Sequence, residues 1–210
     1  DLVHLHVQHH YSFAIALARK SFMLTSWGVE VLSLPDTDIF TKSLAKLTAK
    51  KASTLTVDAN CLKQIWMKMG VQKSKIKTIP FGVDTNIFNP KVKGQAVRSK
   101  LHIGKNGIAV ISTRPFYNDH YNIECLIKAI PAVVNSHKNV KFIIKGAGPL
   151  KNHLENLVRK LKISNHIRFV GLVPYHQVSE YLSASDIYVS TCFIDSTSVS
   201  LLEAMACGVA

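Results

Sequence analysis

Acidic residues are scarce in this chain. Its 210 residues hold 13 Asp and Glu against 26 Lys and Arg, a net charge of +13. Such an imbalance implies an anionic partner: nucleic acid, an acidic membrane surface or a phosphorylated ligand. Much of the excess lies between Lys42 and Lys77, in "KSLAKLTAKK" and "KMGVQKSKIK"; a solvated lysine-rich face is the plain alternative. Long hydrophobic runs are also missing. Ile108–Ile111 and Phe142–Ile144 are far too short to span a bilayer as a helix. Cysteine is sparse: Cys61, Cys125, Cys192 and Cys207 lie far apart with no CxxC pair. That argues against a zinc ribbon or a disulfide scaffold and for reduced thiols packed as small side chains in a cytoplasmic setting. The opening "DLVHLHVQHH" has neither the basic-then-apolar order of a secretory leader nor an initiator Met. With the end at "ACGVA", the chain reads as a piece of a longer one.

Apolar residues make up 47% of the chain, enough for a substantial core. They come as short β-like runs alternating with helical stripes. "DLVHLHV", "FMLTSW", "STLTVDA" and "IKTIP" read as strands, and "SFAIALARK" and "KSLAKLTAKK" as helices between them. Asp58 is expected to cap a helix whose Leu62, Ile65, Trp66 and Met69 share one face and which stops at Gly70. "FGVDTNIFNPKVKG" reads as an ordered connection. The alternation resumes with "IAVIST", a helix with Ile123, Leu126, Ile127 and Ile130 on one side, "VKFIIKG", a helix on Leu154 and Val158, "IRFVGLV", the short helix "HQVSEYL", "DIYVST" and a last helix in "SVSLLEAMA". Strand–helix alternation predicts parallel sheets wrapped by helices, with ligand at the carboxyl ends of the strands. The expected fold class is therefore α/β, in two Rossmann-like doubly wound domains: residues 1–84, a linker 85–95, and 96–210.

The stretch "IDSTSVSLLEAMACG" carries two acids eight residues apart, Asp195 and Glu203, with Glu203 inside an apolar run. Ser198 is placed to precede the helix, whose first amides attract phosphate. Asp195 before the helix and Glu203 within it are then placed to accept from sugar or ribose hydroxyls. A hydroxyl-rich turn and cap, with Glu203 in a salt bridge, is the alternative. "GAGP" at Gly146–Pro149 follows a strand and precedes a helix, where glycines admit close backbone approach.

With these motifs in hand, the chain resembles the retaining family 4 glycosyltransferases of GT-B fold. "DSTSVSLLEAMACG" is similar to that family's "EGFGLxxLEAMACG", with Asp195 and Glu203 at the E-x7-E spacing, Asp for the first Glu and "STS" for "GFG". "DLVHLH", "IKTIPFGVDTNIF" and the run from "GAGPLKNHLENL" to "ASDIYVSTC" follow further family motifs in order, so the resemblance covers essentially the whole chain. It implies a GT-B fold, both of whose domains would be incomplete here, and transfer of a sugar from a UDP- or GDP-sugar to a glycan, lipid or small-molecule acceptor in the cleft between domains, with no further cofactor and no metal. By the same resemblance Asp195 would hold the donor sugar and Glu203 the ribose. The segment Ser196, Thr197, Ser198 and Val199 would receive the sugar and distal phosphate, and Gly146, Gly148 and Val173 would lie near the donor and its base. Arg114 in "STRPFYNDHY" matches the Arg that neutralises the diphosphate leaving group. The partner Lys of the family is absent, which leaves His120 or Lys145 to assist Arg114. Trp27, where the family often has a His, and His120 are assigned to the acceptor or sugar side.

His4, His6, His9 and His10 suggest a metal site, but no Cys or carboxylate at ligand spacing accompanies them. "DTD" at Asp36–Asp38 reads as a turn and helix cap. No reader motif or interleaved aromatics support nucleic-acid binding. The expected partners are thus a nucleotide-sugar, an acceptor and an anionic membrane surface touched peripherally at its inner, cytoplasmic face. A GT-B epimerase or phosphorylase, and a degenerate sugar-nucleotide binder, are the alternative functions.

Overall fold

A computed structural model describes residues 3–6, 10–17 and 20–210. The chain divides into two compact units, one of residues 1–81 together with Ile194–Ser198, the other of Gly82–Phe193 and Val199–Ala210.

The first unit runs β1 (Val3–His6), α1 (His10–Leu17), β2 (Phe22–Ser26), α2 (Val29–Leu32), α3 (Ile39–Lys51), β3 (Thr54–Val57), α4 (Asn60–Lys68) and β4 (Ile76–Thr78). Its sheet is parallel throughout in the order β1-β2-β3-β4. Phe22, Leu24, Leu55 and Val57 are buried in one core with Leu62 and Trp66 of α4. The Trp66 indole N–H donates to the buried Ser26 hydroxyl at 3.1 Å. Asp38 caps α3 as the sequence indicates, accepting from the amides of Phe40 and Thr41. Those bonds hold its carboxyl below the usual range, the Thr41 hydroxyl contributing most. Gly70 stands just past α4 with φ 84, the left-handed geometry glycine tolerates best. The expected Asp58 cap is not formed. Ala59, which has no polar side chain, is the residue before α4, and the Asp58 carboxylate is turned to another segment.

The second unit contains α5 (Gln95–Lys100), β5 (Ile108–Ser112), α6 (Ile123–Ser136), β6 (Val140–Lys145), α7 (Lys151–Lys160), β7 (Ile167–Gly171), α8 (Tyr175–Ser183), β8 (Ile187–Tyr188) and α9 (Val199–Ala206). Its parallel strands lie in the order β7-β6-β5-β8. Both faces are covered. On β5, Ala109 and Ile111 join one core with Leu182 of α8 and Ala204 of α9; Val110 joins the other with Leu126, Ile127 and Ile130 of α6 and Leu154 of α7. Apolar residues on both sides of a strand are what a parallel sheet wrapped by helices requires. The connection after Gly82 is ordered as expected, with Phe88 fully buried in the first of these cores. Asp186 bonds the Ala109 amide at 2.7 Å and Arg98 of α5 at 3.3 Å, tying α5 to the starts of β5 and β8.

Candidate functional site

In the second sheet the chain builds outward from β5 to β6 and β7, then returns to place β8 on the other side of β5. The order reverses between β5 and β8, and the crevice at the carboxyl ends of such a strand pair is where open α/β sheets bind ligand.

Arg114 lies two residues beyond β5 and is 9% exposed. Its Nε donates to the Ser190 hydroxyl beyond β8 at 3.0 Å, and its guanidinium lies 6.0 Å from the Tyr121 ring centroid. A buried guanidinium oriented in this way at a switch point is suited to a phosphate. His120 meets the Tyr121 ring edge-on, with centroids 5.2 Å apart, and its Nε2 lies 3.2 Å from Cys192 Sγ. The Thr191 hydroxyl donates to the Asn122 carbonyl at 2.8 Å, so the loops after β5 and β8 are stitched together around Arg114.

The glycines of "GAGP" show the close approach their sequence implies. A Cβ on Gly146 would fall well inside contact distance of the Arg114 carbonyl and 2.9 Å from the Phe116 ring. Gly148 has φ 153 and presses on the Phe116 backbone. The Phe116 amide donates to the Ala147 carbonyl and the Leu150 amide to the Phe116 carbonyl, fastening this turn to the Arg114 segment.

Glu203 is buried on α9, only 8% exposed, whereas Leu201 and Met205 of the same apolar run are 43% and 62% exposed. The helix therefore turns the acid inward beside the fully buried Ala204 and leaves the larger Leu201 and Met205 toward solvent. Burial pushes the Glu203 carboxyl above its ordinary value, against the opposing pull of the Lys145 ammonium and the Tyr175 hydroxyl. The Tyr175 hydroxyl is itself raised by burial and by the negative charges of Glu203 and Asp84. A carboxylate held so needs further donors to stay charged, and paired hydroxyls would supply them. Tyr188 links β8 to α9 through the Ser200 hydroxyl at 2.8 Å, and Val173 is half-buried against the core beneath α8 and α9. Val199 begins α9, with Ser198 immediately before it.

Ser196, Thr197 and Ser198, with the exposed Asp195, belong to the segment that groups with the first unit. There the Ser196 hydroxyl lies 2.6 Å from Asp58 Oδ2 and 3.0 Å from the Trp27 carbonyl, and the Thr197 amide donates to Asp58 Oδ2 at 3.2 Å. Hydroxyl and amide groups read from the sequence as donor contacts are thus bonded to a protein carboxylate. Trp27 stacks against His6 and Phe81, with centroids 5.6 and 5.0 Å apart, and its amide donates to Glu30 at 2.6 Å. Among the described residues no set of three His, Cys, Asp or Glu side chains is arranged for a metal. His4 bonds Thr25 at 2.7 Å; His9 and the His10 side chain lie outside the described residues. Sequence reasoning missed Ser190, Tyr121, Tyr175 and the role of Asp58. Tyr175 alone had a local signal, its place in "GLVPYHQV" just after a strand.

The second unit thus combines a parallel sheet with a switch point, a buried Arg after its first strand and a buried Glu on its last helix. The chain belongs to the glycosyl transferases group 1 family, which it matches over residues 96–210. It is 30% identical over 142 residues to a phosphatidylinositol N-acetylglucosaminyltransferase subunit of Arabidopsis thaliana, covering 68% of this chain and 30% of that protein. To alpha-monoglucosyldiacylglycerol synthase of Acholeplasma laidlawii it is 24% identical over 225 residues, 98% of this chain and 56% of that one. In fold it is similar to Anabaena HepE, solved in complex with UDP, with a TM-score of 0.80 and 17% identity over 99% of this chain and 58% of the other. The chain spans less than two thirds of each of these proteins. GT-B neighbours at this similarity bear out the expected α/β architecture of two parallel sheets.

Proposed function

We propose that the protein is a retaining glycosyltransferase of family 4 that takes a sugar from a UDP- or GDP-sugar. The observation that carries this reading is the second unit's pairing of a buried, oriented Arg114 at the switch point with a buried Glu203 on the helix that follows. In this reading Arg114, aided by Lys145, neutralises the diphosphate as the glycosidic bond to the sugar breaks. Glu203 accepts from the ribose hydroxyls, and Asp195 from those of the sugar. With no side-chain base required, the leaving phosphate takes the acceptor's proton, which is consistent with retention. The UDP and UDP-glucose complexes of HepE support a nucleotide-sugar donor.

The acceptor in this reading is a lipid at the cytoplasmic face of an anionic membrane. Nine lysines and one acid, the buried Asp58, lie between residues 42 and 77. A pocket of about 440 Å³ between α3 and α4 is lined by the apolar Leu34, Ile39 and Ile65 and by Lys42, Lys46 and Lys68. Ile39 and the adjacent Phe40 are 83% and 69% exposed. Among the described residues none of those three lysines forms an ion pair. Exposed apolar side chains on the same helix as lysines suit an anionic bilayer surface. Both curated relatives above have a lipid in their names, phosphatidylinositol in one and monoglucosyldiacylglycerol in the other.

The test is a thermal-shift titration of UDP, GDP and ADP, since a ligand that binds only the folded state raises the melting temperature. UDP or GDP is expected to stabilise the protein, and Arg114→Lys, which cannot keep both the Ser190 bond and the Tyr121 stack, to weaken the effect roughly tenfold in affinity. No shift with any of the three would sink the reading.

A further inference from the structure

Asp58 follows β3 and precedes α4, yet its carboxylate serves neither. The side chain is 3% exposed. Oδ2 takes the Ser196 hydroxyl at 2.6 Å and the Thr197 amide at 3.2 Å, and the Asp58 carbonyl lies 3.4 Å from the Thr197 hydroxyl. Oδ1 is buried with no hydrogen-bond partner among the described residues. Opposite, the Trp27 carbonyl shares the Ser196 hydroxyl. Gly28 has φ 132, and any Cβ there would sit 2.5 Å from Ser196 Oγ. A strained glycine and a buried acid thus make a socket fitted to two residues that lie 138 and 139 positions further along the chain.

The energetics are reciprocal. A buried carboxylate is costly unless donors satisfy it, and charge-assisted bonds are the strong ones. The Asp58 side-chain bonds described all come from Ser196 and Thr197, so seating the segment and satisfying the acid are one event. The segment also carries Asp195 and leads directly into α9, which carries Glu203.

We infer that Asp58 is a positioning residue for the donor loop: its carboxylate sets the path of Ile194–Ser198 and with it the reach of Asp195. Unseating the loop moves Asp195 without altering its chemistry. The effect on transfer rests on the function proposed above; the seat itself does not.

The experiment compares Asp58→Ala, Asp58→Asn and Ser196→Ala in the full-length protein by amide hydrogen exchange, melting, and initial rates with UDP- and GDP-sugars. Asp58→Ala is expected to speed exchange of the Thr197 amide at least roughly tenfold and to raise the donor KM more than it lowers kcat. Asp58→Asn retains an acceptor oxygen and is expected to restore slow exchange in part, a rescue that loss of packing would not give. Where Asp58→Ala does not fold, Ser196→Ala carries the test, because it removes only one loop hydroxyl; faster Thr197 exchange is again expected. Exchange unchanged in the folded variants overturns the inference whatever the rates do. Faster exchange in a protein that ignores all nucleotide sugars upholds the seat and refutes the proposed function instead.

Discussion

Gly146→Ala puts the coupling between the "GAGP" turn and Arg114 under direct strain. The added methyl meets the Arg114 backbone carbonyl and, at 2.9 Å, the ring of Phe116. Neither can yield cheaply. Phe116 is 1% exposed in a packed core, and the Arg114 carbonyl belongs to a segment fastened to the turn by the Phe116–Ala147 and Leu150–Phe116 bonds. Overpacking a dense site costs about 1–3 kcal/mol, and a clash against backbone belongs at the upper end. For a unit of this size each kcal/mol moves the melting temperature by roughly 3–5 °C, so a fall of ~10 °C is expected. The backbone shift also carries Arg114 away from Ser190, so stabilisation by UDP or GDP should weaken more than the melting shift alone explains. Gly104→Ala is the control: a Cβ there meets nothing within 4 Å, and the change should be close to neutral. Differential scanning fluorimetry with and without nucleotide reads both effects. If Gly146→Ala melts within ~2 °C of the parent and responds to nucleotide as before, the turn does not brace Arg114 and the reasoning fails.

Two further outcomes follow from the charges. Burial raises the Glu203 carboxyl from its ordinary 4.5, so the folded state holds that proton more tightly than the unfolded chain. Stability is therefore lost as pH rises from 4.5 through the raised value; Glu203→Gln should abolish that loss, melt higher than the parent at neutral pH and bind nucleotide more weakly, as melting curves across pH will show. Lys42→Glu with Lys46→Glu should reduce cosedimentation with phosphatidylserine vesicles at low salt by about tenfold while leaving phosphatidylcholine binding unchanged, and full binding by the double variant would remove the lysine-lined pocket as the membrane contact.

Much of the fold was legible because its signals are local. The Ile123–Ile130 stripe of α6, the Asp38 cap and the left-handed Gly70 each depend on residues within a few positions, and the structure has them where the sequence indicates. The helices α2 and α5 were not read, being only four and six residues long and without an apolar period. "DIYVST" yields only Ile187–Tyr188 as strand, although the Asp186 and Val189 amides on either side also donate to the Ala109 and Ile111 carbonyls of β5. In "SVSLLEAMA" hydropathy misleads. Leu201 and Met205 are two of its large apolar residues, but the buried face of α9 takes Ala204 and Glu203 and leaves both of them exposed.

Composition and pattern by themselves determined that this is an α/β chain with two sheets, basic in its first third, with Asp195 and Glu203 eight residues apart. Periodicity and motif order survive any change in packing, so they can be read without coordinates. The tertiary structure alone decided where the chemistry is placed. It put Arg114 against Ser190, 76 residues away, at a reversal of strand order that no local pattern encodes. It also turned Asp58 from a helix cap into the acceptor for Ser196 and Thr197. An aspartate beside a helix start has two outlets for its charge, and only contacts between distant parts of the chain determine which one it takes.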